Sequence, residues 1–249
     1  MITIKSKTDL AKMREAGKLA AETLKLAGES IKAGMSTLEL NGIIHDFIIS
    51  RGGVPATLGY EGFPASACIS VNNEVIHGIP RATKRFKEGD IVSVDITVQL
   101  DGFHGDTCKT FACGKISKEA QELLDVTETA LYKGIEAAQA GARLGDVSYA
   151  VGNYCTERGY GVVKDFCGHG IGKQFHEDPE IPNFGKRGEG PKLQPGMTLC
   201  IEPMINVKGS KVKIMGDGWT VRTVNGSLSA HFEHTVAITN EGPVILTAL

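Results

Sequence analysis

At 249 residues, 41% hydrophobic and 22% charged with 31 glycines, the chain can bury a sizeable core and has the make-up of a globular protein rich in turns. A net charge of −2 supplies no overall field to draw it to nucleic acid or to an anionic membrane. There is no signal-peptide core at the N-terminus and no run near the roughly 20 apolar residues that span a bilayer. Cys68, Cys108, Cys113, Cys155, Cys167 and Cys200 form no C-x-x-C pair and read as reduced thiols, which places the chain in the cytoplasm.

In chain order, residues 8–32 carry Leu10, Met13, Ala16, Ala20 and Leu24 at helical spacing, with Thr8 as the expected N-cap. Gly34 interrupts, and Ser36 with Glu39 forms a capping box that opens a second helix to about Arg51, where Gly52-Gly53 stops it. Strand-rich segments follow at 66–76, 90–100 and 103–112. Ser117 then opens a helix to about Ala140, and another runs from about Gly145 to Arg158. Further strand-rich segments occupy 197–207, 219–224 and 230–247. Helices and strands segregate, so the fold class is α+β with mainly antiparallel pairing rather than a doubly wound sheet. Displacing the sequence by 107 residues aligns Glu15 with Glu122, Leu24 with Leu131, Ala33-Gly34 with Ala140-Gly141, Phe47 with Tyr154 and Asp95 with Glu202. The expectation is one domain over 1–249 built of two related halves, about 8–107 and 115–249, with any ligand at their seam.

The sharpest local signal lies in Asp90–Thr107. Asp101-Gly102 between two strand-rich runs is a two-residue hairpin turn, and pairing Leu100 with Phe103 sets Asp95 opposite Cys108 and Asp106 opposite Thr97. Both aspartates then share one face as diagonal neighbours, about 7–8 Å apart at Cα. Ile91, Val92, Val94, Ile96 and Val98 surround Asp95, and a carboxylate there is costly unless paired or bound to a cation. Taken singly, Asp95 also has a structural reading as a strand-edge or turn residue. His169 stands between glycines in Cys167-Gly-His-Gly-Ile-Gly, where missing Cβ atoms admit close approach. Glu202 in Leu199-Cys-Ile-Glu-Pro-Met and Glu233 in His231-Phe-Glu-His-Thr-Val are acids entering apolar strands. Four clustered carboxylates would repel and protonate without cations; two divalent ions balance them. Oxygen-rich ligation with one histidine suits Mn²⁺, Fe²⁺ or Co²⁺ better than a thiolate zinc site. Spacing and charge therefore point to a two-metal hydrolase.

The order Asp95, Asp106, Gly168-His-Gly, Ile201-Glu-Pro and Glu233-His resembles the pita-bread metallopeptidases, and within them the type I methionine aminopeptidases. Cys68-Ile-Ser-Val-Asn-Asn-Glu-Val-Ile-His-Gly-Ile-Pro, Ser93-Val-Asp-Ile and Phe232-Glu-His-Thr carry the same resemblance, which covers nearly the whole chain. It implies a pita-bread fold with pseudo-two-fold halves, acting as one catalytic domain. The implied activity is removal of the initiator methionine from nascent proteins with a small second residue, by attack of metal-bound hydroxide. It also implies that Asp95, Asp106, His169, Glu202 and Glu233 hold two divalent ions, with Asp106 and Glu233 bridging and Glu202 doubling as general base. His77 and His176 would hydrogen-bond the scissile amide and the developing oxyanion. Tyr60, Phe63, Cys68, Phe175 and Trp219 would form the methionine pocket.

Thr57, Phe63 and Phe166 depart from residues common among relatives, and only 32 residues separate His169 from Glu202, without the type II insertion. With no N-terminal extension, the expected form is the short bacterial one, a monomer. A prolidase or aminopeptidase P is the rival of the same fold, and a non-catalytic binding protein that has lost its metals is the rival of another class. His45 and His104 read as solvated and Arg81–Lys87 as a charged loop, while Lys208, Lys211 and Lys213 are candidates for contact with ribosomal RNA.

Overall fold

A computed structural model describes all residues, 1–249. The N-terminal half opens with helices α1 (Lys7–Ser30) and α2 (Thr37–Ser50) and continues through strands β1 (Val54–Pro55), β2 (Cys68–Val71), β3 (Glu74–Ile76), β4 (Ile91–Leu100) and β5 (Phe103–Ala112). Helices α3 (Lys118–Ala137) and α4 (Leu144–Thr156) follow, then β6 (Gly161–Val162), β7 (Cys167–Gly170), β8 (Glu177–Pro182), β9 (Thr198–Ile201) and β10 (Met204–Asn206). The chain closes with β11 (Val212–Ile214), β12 (Val221–Thr223), β13 (Ser229–His231), β14 (Glu233–Thr239) and β15 (Gly242–Ile245).

Local chemistry accounts for the helix starts. Ser36 caps α2 through the Glu39 N–H while the Glu39 carboxylate accepts from the Ser36 N–H, as the capping box predicts. The first helix begins earlier than its apolar spacing suggests: Ser6, not Thr8, is the N-cap, because Asp9 three residues on completes a second capping box. Ser117 caps α3 by accepting from the Ala120 N–H.

Strands β4 and β5 form the expected hairpin with Leu100 opposite Phe103, Thr97 opposite Asp106 and Asp95 opposite Cys108. Asp101 and Gly102 both take positive φ, 49° and 78°, which is what a tight turn between twisted strands demands. The main sheet runs β1-β4-β5-β14-β9-β7-β8, with β2 on β4 and β15 on β14, and every pairing is antiparallel. Helix α1 lies across β4 and β5 so closely that a Cβ on Gly105 would fall 2.4 Å from the Gly17 nitrogen. Two apolar clusters divide the core. One joins α1 and α2 to β2 and β4 through residues such as Leu40, Ile44, Ile69, Val94 and Ile96. The other joins α3 and α4 to β9, β10 and β14 through Leu123, Leu131, Val151, Leu199 and Val236. β4 packs Val92, Val94, Ile96 and Val98 into the first cluster and turns Ser93, Asp95 and Thr97 to its other face, which explains the alternation of its sequence.

Two expectations change. β7 and β8 were not anticipated, since Cys167-Gly-His-Gly has almost no strand propensity and is held by pairing with β8 and β9. His104 is not solvated: it is 7% exposed and its Nδ1 lies 3.1 Å from the Gly172 carbonyl. The Arg81–Lys87 run is a charged loop as expected, with Arg81 paired to Asp217, Lys84 to buried Glu74 and Arg85 to Glu39.

Candidate metal centre

Five adjacent strands of the main sheet each deliver one donor to the same place. In sheet order these are Asp95 from β4, Asp106 from β5, Glu233 at the start of β14, Glu202 just past the end of β9 and His169 on β7. The register explains the convergence. Asp95 and Glu233 are both opposite Cys108, so they flank β5, and His169 is opposite Cys200, two residues before Glu202. Glycines on either side of His169 are obligatory here. A Cβ at 168 would sit 2.2 Å from the Cys200 carbonyl oxygen, and one at 170 would sit 2.1 Å from that of Asp178.

His169 Nε2 lies 3.8 Å from Asp106 Oδ2 and 3.7 Å from Glu202 Oε1, too far for hydrogen bonds. Its Nδ1 is 2.8 Å from the Gly170 carbonyl; donation there leaves Nε2 with a free lone pair aimed at the carboxylates. Thr97 Oγ1 donates to Asp106 Oδ1 at 2.9 Å, and the Thr235 hydroxyl pins the Asp106 main chain from β14. The hairpin register that sets Thr97 opposite Asp106 makes the first contact legible in the sequence, whereas nothing local points to Thr235.

The cluster is electrostatically unbalanced as it stands. Burial pushes Asp95 up to about 6, with Glu202 adding to the rise and His231 opposing it. Burial, then Asp95 and Glu202, raise Asp106; burial alone raises Glu202; and burial, then Asp106, Glu202 and Asp95, raise Glu233. His169 is pushed down to about 3, by burial and then by His176. Two buried polar atoms, Glu233 Oε1 and His231 Nε2, have no hydrogen-bond partner. Ligand atoms of Asp106, His169, Cys200 and Glu233 lie within 4.8 Å of one another, as do those of Glu202, His231 and Glu233. Acidic oxygens that resist ionisation, a neutral imidazole with a free lone pair and orphaned donors form a set that divalent cations would satisfy. Cys200 is the weakest member, because burial and the neighbouring carboxylates keep its thiol protonated.

A cavity of about 400 Å³ opens over these groups, and all twelve residues singled out from the sequence line it. Phe63 meets Trp219 edge-on at 5.2 Å, and Tyr60 meets Phe175 at 4.7 Å, forming the apolar walls with buried Cys68. His77 stands edge-on to Phe166 and Trp219 in the left-handed backbone region, φ 56°, a conformation that persists only where surroundings impose it. Burial, then His231 and His176, lower His77 to about 4, so it presents a neutral imidazole. His176 lies at the mouth, stacked on Phe175 and 2.8 Å from the Tyr60 hydroxyl. His231 is the site residue the sequence reading passed over. It stands two residues before Glu233, and that nearness is the only signal the sequence offers.

Residues 11–240 match Metallopeptidase family M24. The methionine aminopeptidase of Clostridium perfringens is 51% identical over 249 residues, 100% of both chains. The crystal structure of methionine aminopeptidase from Rickettsia prowazekii superposes with a TM-score of 0.98 at 46% identity, covering 100% of both chains. That from Thermotoga maritima also reaches 0.98, at 42% identity and the same coverage. With sequence and curled antiparallel sheet in agreement along its length, the chain belongs to metallopeptidase family M24, in its methionine aminopeptidase branch.

Proposed function

We propose that this chain releases the N-terminal methionine of newly made proteins whose second residue is small. The observation that carries the reading is the junction, within one cavity, of an apolar slot and the carboxylate cluster. Tyr60, Phe63, Cys68, Phe175 and Trp219 form a slot whose aromatic edges suit a thioether. The scissile amide is thereby brought over Glu202 and Glu233. When bound, two divalent ions of the Mn²⁺, Fe²⁺ or Co²⁺ class, held by Asp95, Asp106, His169, Glu202 and Glu233 with Asp106 and Glu233 shared, would supply the charge that acidifies a water and polarises the scissile carbonyl. Glu202, its carboxyl raised by burial, accepts the proton of the attacking water and returns it to the leaving amine. His77 and His176 donate to the amide and to the oxygen on which charge develops. Residues 1–249 act in this reading as one catalytic domain of two related halves. α2 and α4 begin 107 residues apart, at Thr37 and Leu144, as do Asp95 and Glu202.

A peptide panel tests it. The Mn²⁺- or Co²⁺-supplemented protein should release methionine from Met-Ala-Ser and Met-Gly peptides and spare those with a bulky second residue. Preference for proline-adjacent bonds would replace this reading with a prolidase, and no release at all would favour a binding protein. We also read the chain as a cytoplasmic monomer that meets its substrates at the ribosome, where exposed Lys208, Lys211 and Lys213 are available to RNA. Co-sedimentation with ribosomes that survives charge reversal of all three lysines would exclude that surface. A solution mass twice the 26.5 kDa of the chain would exclude the monomer.

A further inference from the structure

Five ligands leave one buried imidazole beside the carboxylates without a role. His231 ends β13 and is 2% exposed. Its main chain is clamped from β5: its N–H donates to Thr110 Oγ1 at 3.0 Å, and its carbonyl accepts from the same hydroxyl at 2.9 Å. Pairing with Met204 on β10 fixes the other side. The side chain is therefore aimed by the backbone, and it is aimed at Glu202. His231 Nε2 is 3.5 Å from Glu202 Oε2 and has no hydrogen-bond partner.

The geometry around Glu202 is nearly symmetrical. One carboxylate oxygen faces His169 Nε2 at 3.7 Å and the other faces His231 Nε2 at 3.5 Å. Both separations exceed a normal N–H···O hydrogen bond. Two donors each about 2.1 Å from one ion and 90–120° apart are separated by about 3.0–3.6 Å. A ligand atom of Glu233, whose Oε1 is itself unpartnered, completes a set of three with Glu202 and His231, all within 4.8 Å of one another.

We propose that His231 is a sixth protein ligand of the metal centre, a second nitrogen donor on the Glu202–Glu233 side. This rests on the reading that the carboxylates hold divalent ions, and adds to it. A second imidazole makes the donor set less oxygen-rich and shifts its preference from Mn²⁺ toward Fe²⁺ and Co²⁺.

The test uses the full chain loaded with Co²⁺ and read by proton NMR, in which a ligating imidazole contributes a strongly shifted, solvent-exchangeable N–H signal. Two such signals are expected in the parent and one in His231→Gln and His231→Asn. His169→Gln should lose the other. Calorimetric titration should show Co²⁺ affinity falling at least about tenfold in both His231 variants, with Mn²⁺ affinity falling less. A single shifted signal that persists in His231→Gln, or Co²⁺ affinity within threefold of the parent, would overturn the proposal and leave the five-ligand centre standing. A parent that binds no Co²⁺ would overturn the metal reading itself.

Discussion

Replacing Thr97 by valine removes one hydroxyl from the floor of the site and nothing else. Thr97 is 1% exposed, its Oγ1 is 2.9 Å from Asp106 Oδ1, and valine has the same branched shape and a higher strand preference. The lost hydrogen bond is one that lowers Asp106, against the burial that raises it. Without it Asp106 holds its proton more tightly, and a cation must compete with that proton. A hydrogen bond to a charged acceptor contributes about 1.5–3 kcal/mol, which corresponds to roughly 10–150-fold in affinity. Losses of about 10–100-fold on removing a partner of a metal ligand fall in the same range. Divalent metal should therefore bind Thr97→Val about 10–100-fold more weakly by calorimetry, with a larger deficit at pH 6 than at pH 8, where the competing proton is scarcer. Affinity within threefold of the parent, in a variant that unfolds at the same temperature as the parent when metal-free, would refute the argument that this hydroxyl keeps Asp106 ready to bind.

Protonation of the cluster sets a pH dependence with a definite sign. Carboxyls raised above their unfolded values bind protons more tightly in the folded, metal-free state, so their contribution to stability falls as pH rises from about 4 through the Asp95 value of about 6. Metal binding releases those protons. The rise in melting temperature on adding metal should accordingly be larger at pH 7 than at pH 5, and calorimetry in buffers of different ionisation enthalpy should count released protons at pH 5.5. The protons counted come from the carboxyls, since His169, lowered to about 3, has none to give, and a count of zero would contradict the assignment. His77→Ala should lower kcat by about 10²–10³ with metal content unchanged. Loss of bound metal would make His77 part of the metal centre instead. Gly105→Ala drives a methyl group into the α1 backbone at Gly17 and should cost about 3 kcal/mol or more in denaturant unfolding; near-parental stability would mean that α1 can move off the sheet.

Much of the site was legible because its residues violate the pattern around them. Asp95 interrupts a run of Ile and Val, Glu202 and Glu233 enter apolar strands, and Asp101-Gly102 fixes the hairpin that puts Asp95 and Asp106 on one face. Capping boxes were equally local, and the one error there, Thr8 for Ser6, was a choice between two cap residues two positions apart. Strand β7 was opaque for the opposite reason. Cys167-Gly-His-Gly has no propensity of its own and is a strand only because β8 and β9 supply partners for its backbone.

His231 shows where reading along the chain stops. It stands two residues before Glu233 but on β13 rather than β14, and nearness in the chain says nothing of the 3.5 Å to Glu202, which follows β9. The sequence by itself determined which acids had to find charge partners, since a buried carboxylate among branched apolar residues is otherwise driven to protonate. Tertiary structure alone decided that the four strands carrying them and the strand of His169 would be neighbours, and that a second imidazole would lie beside them. Contacts between strands distant in the chain depend on how strands order in the sheet, and no local periodicity encodes that order.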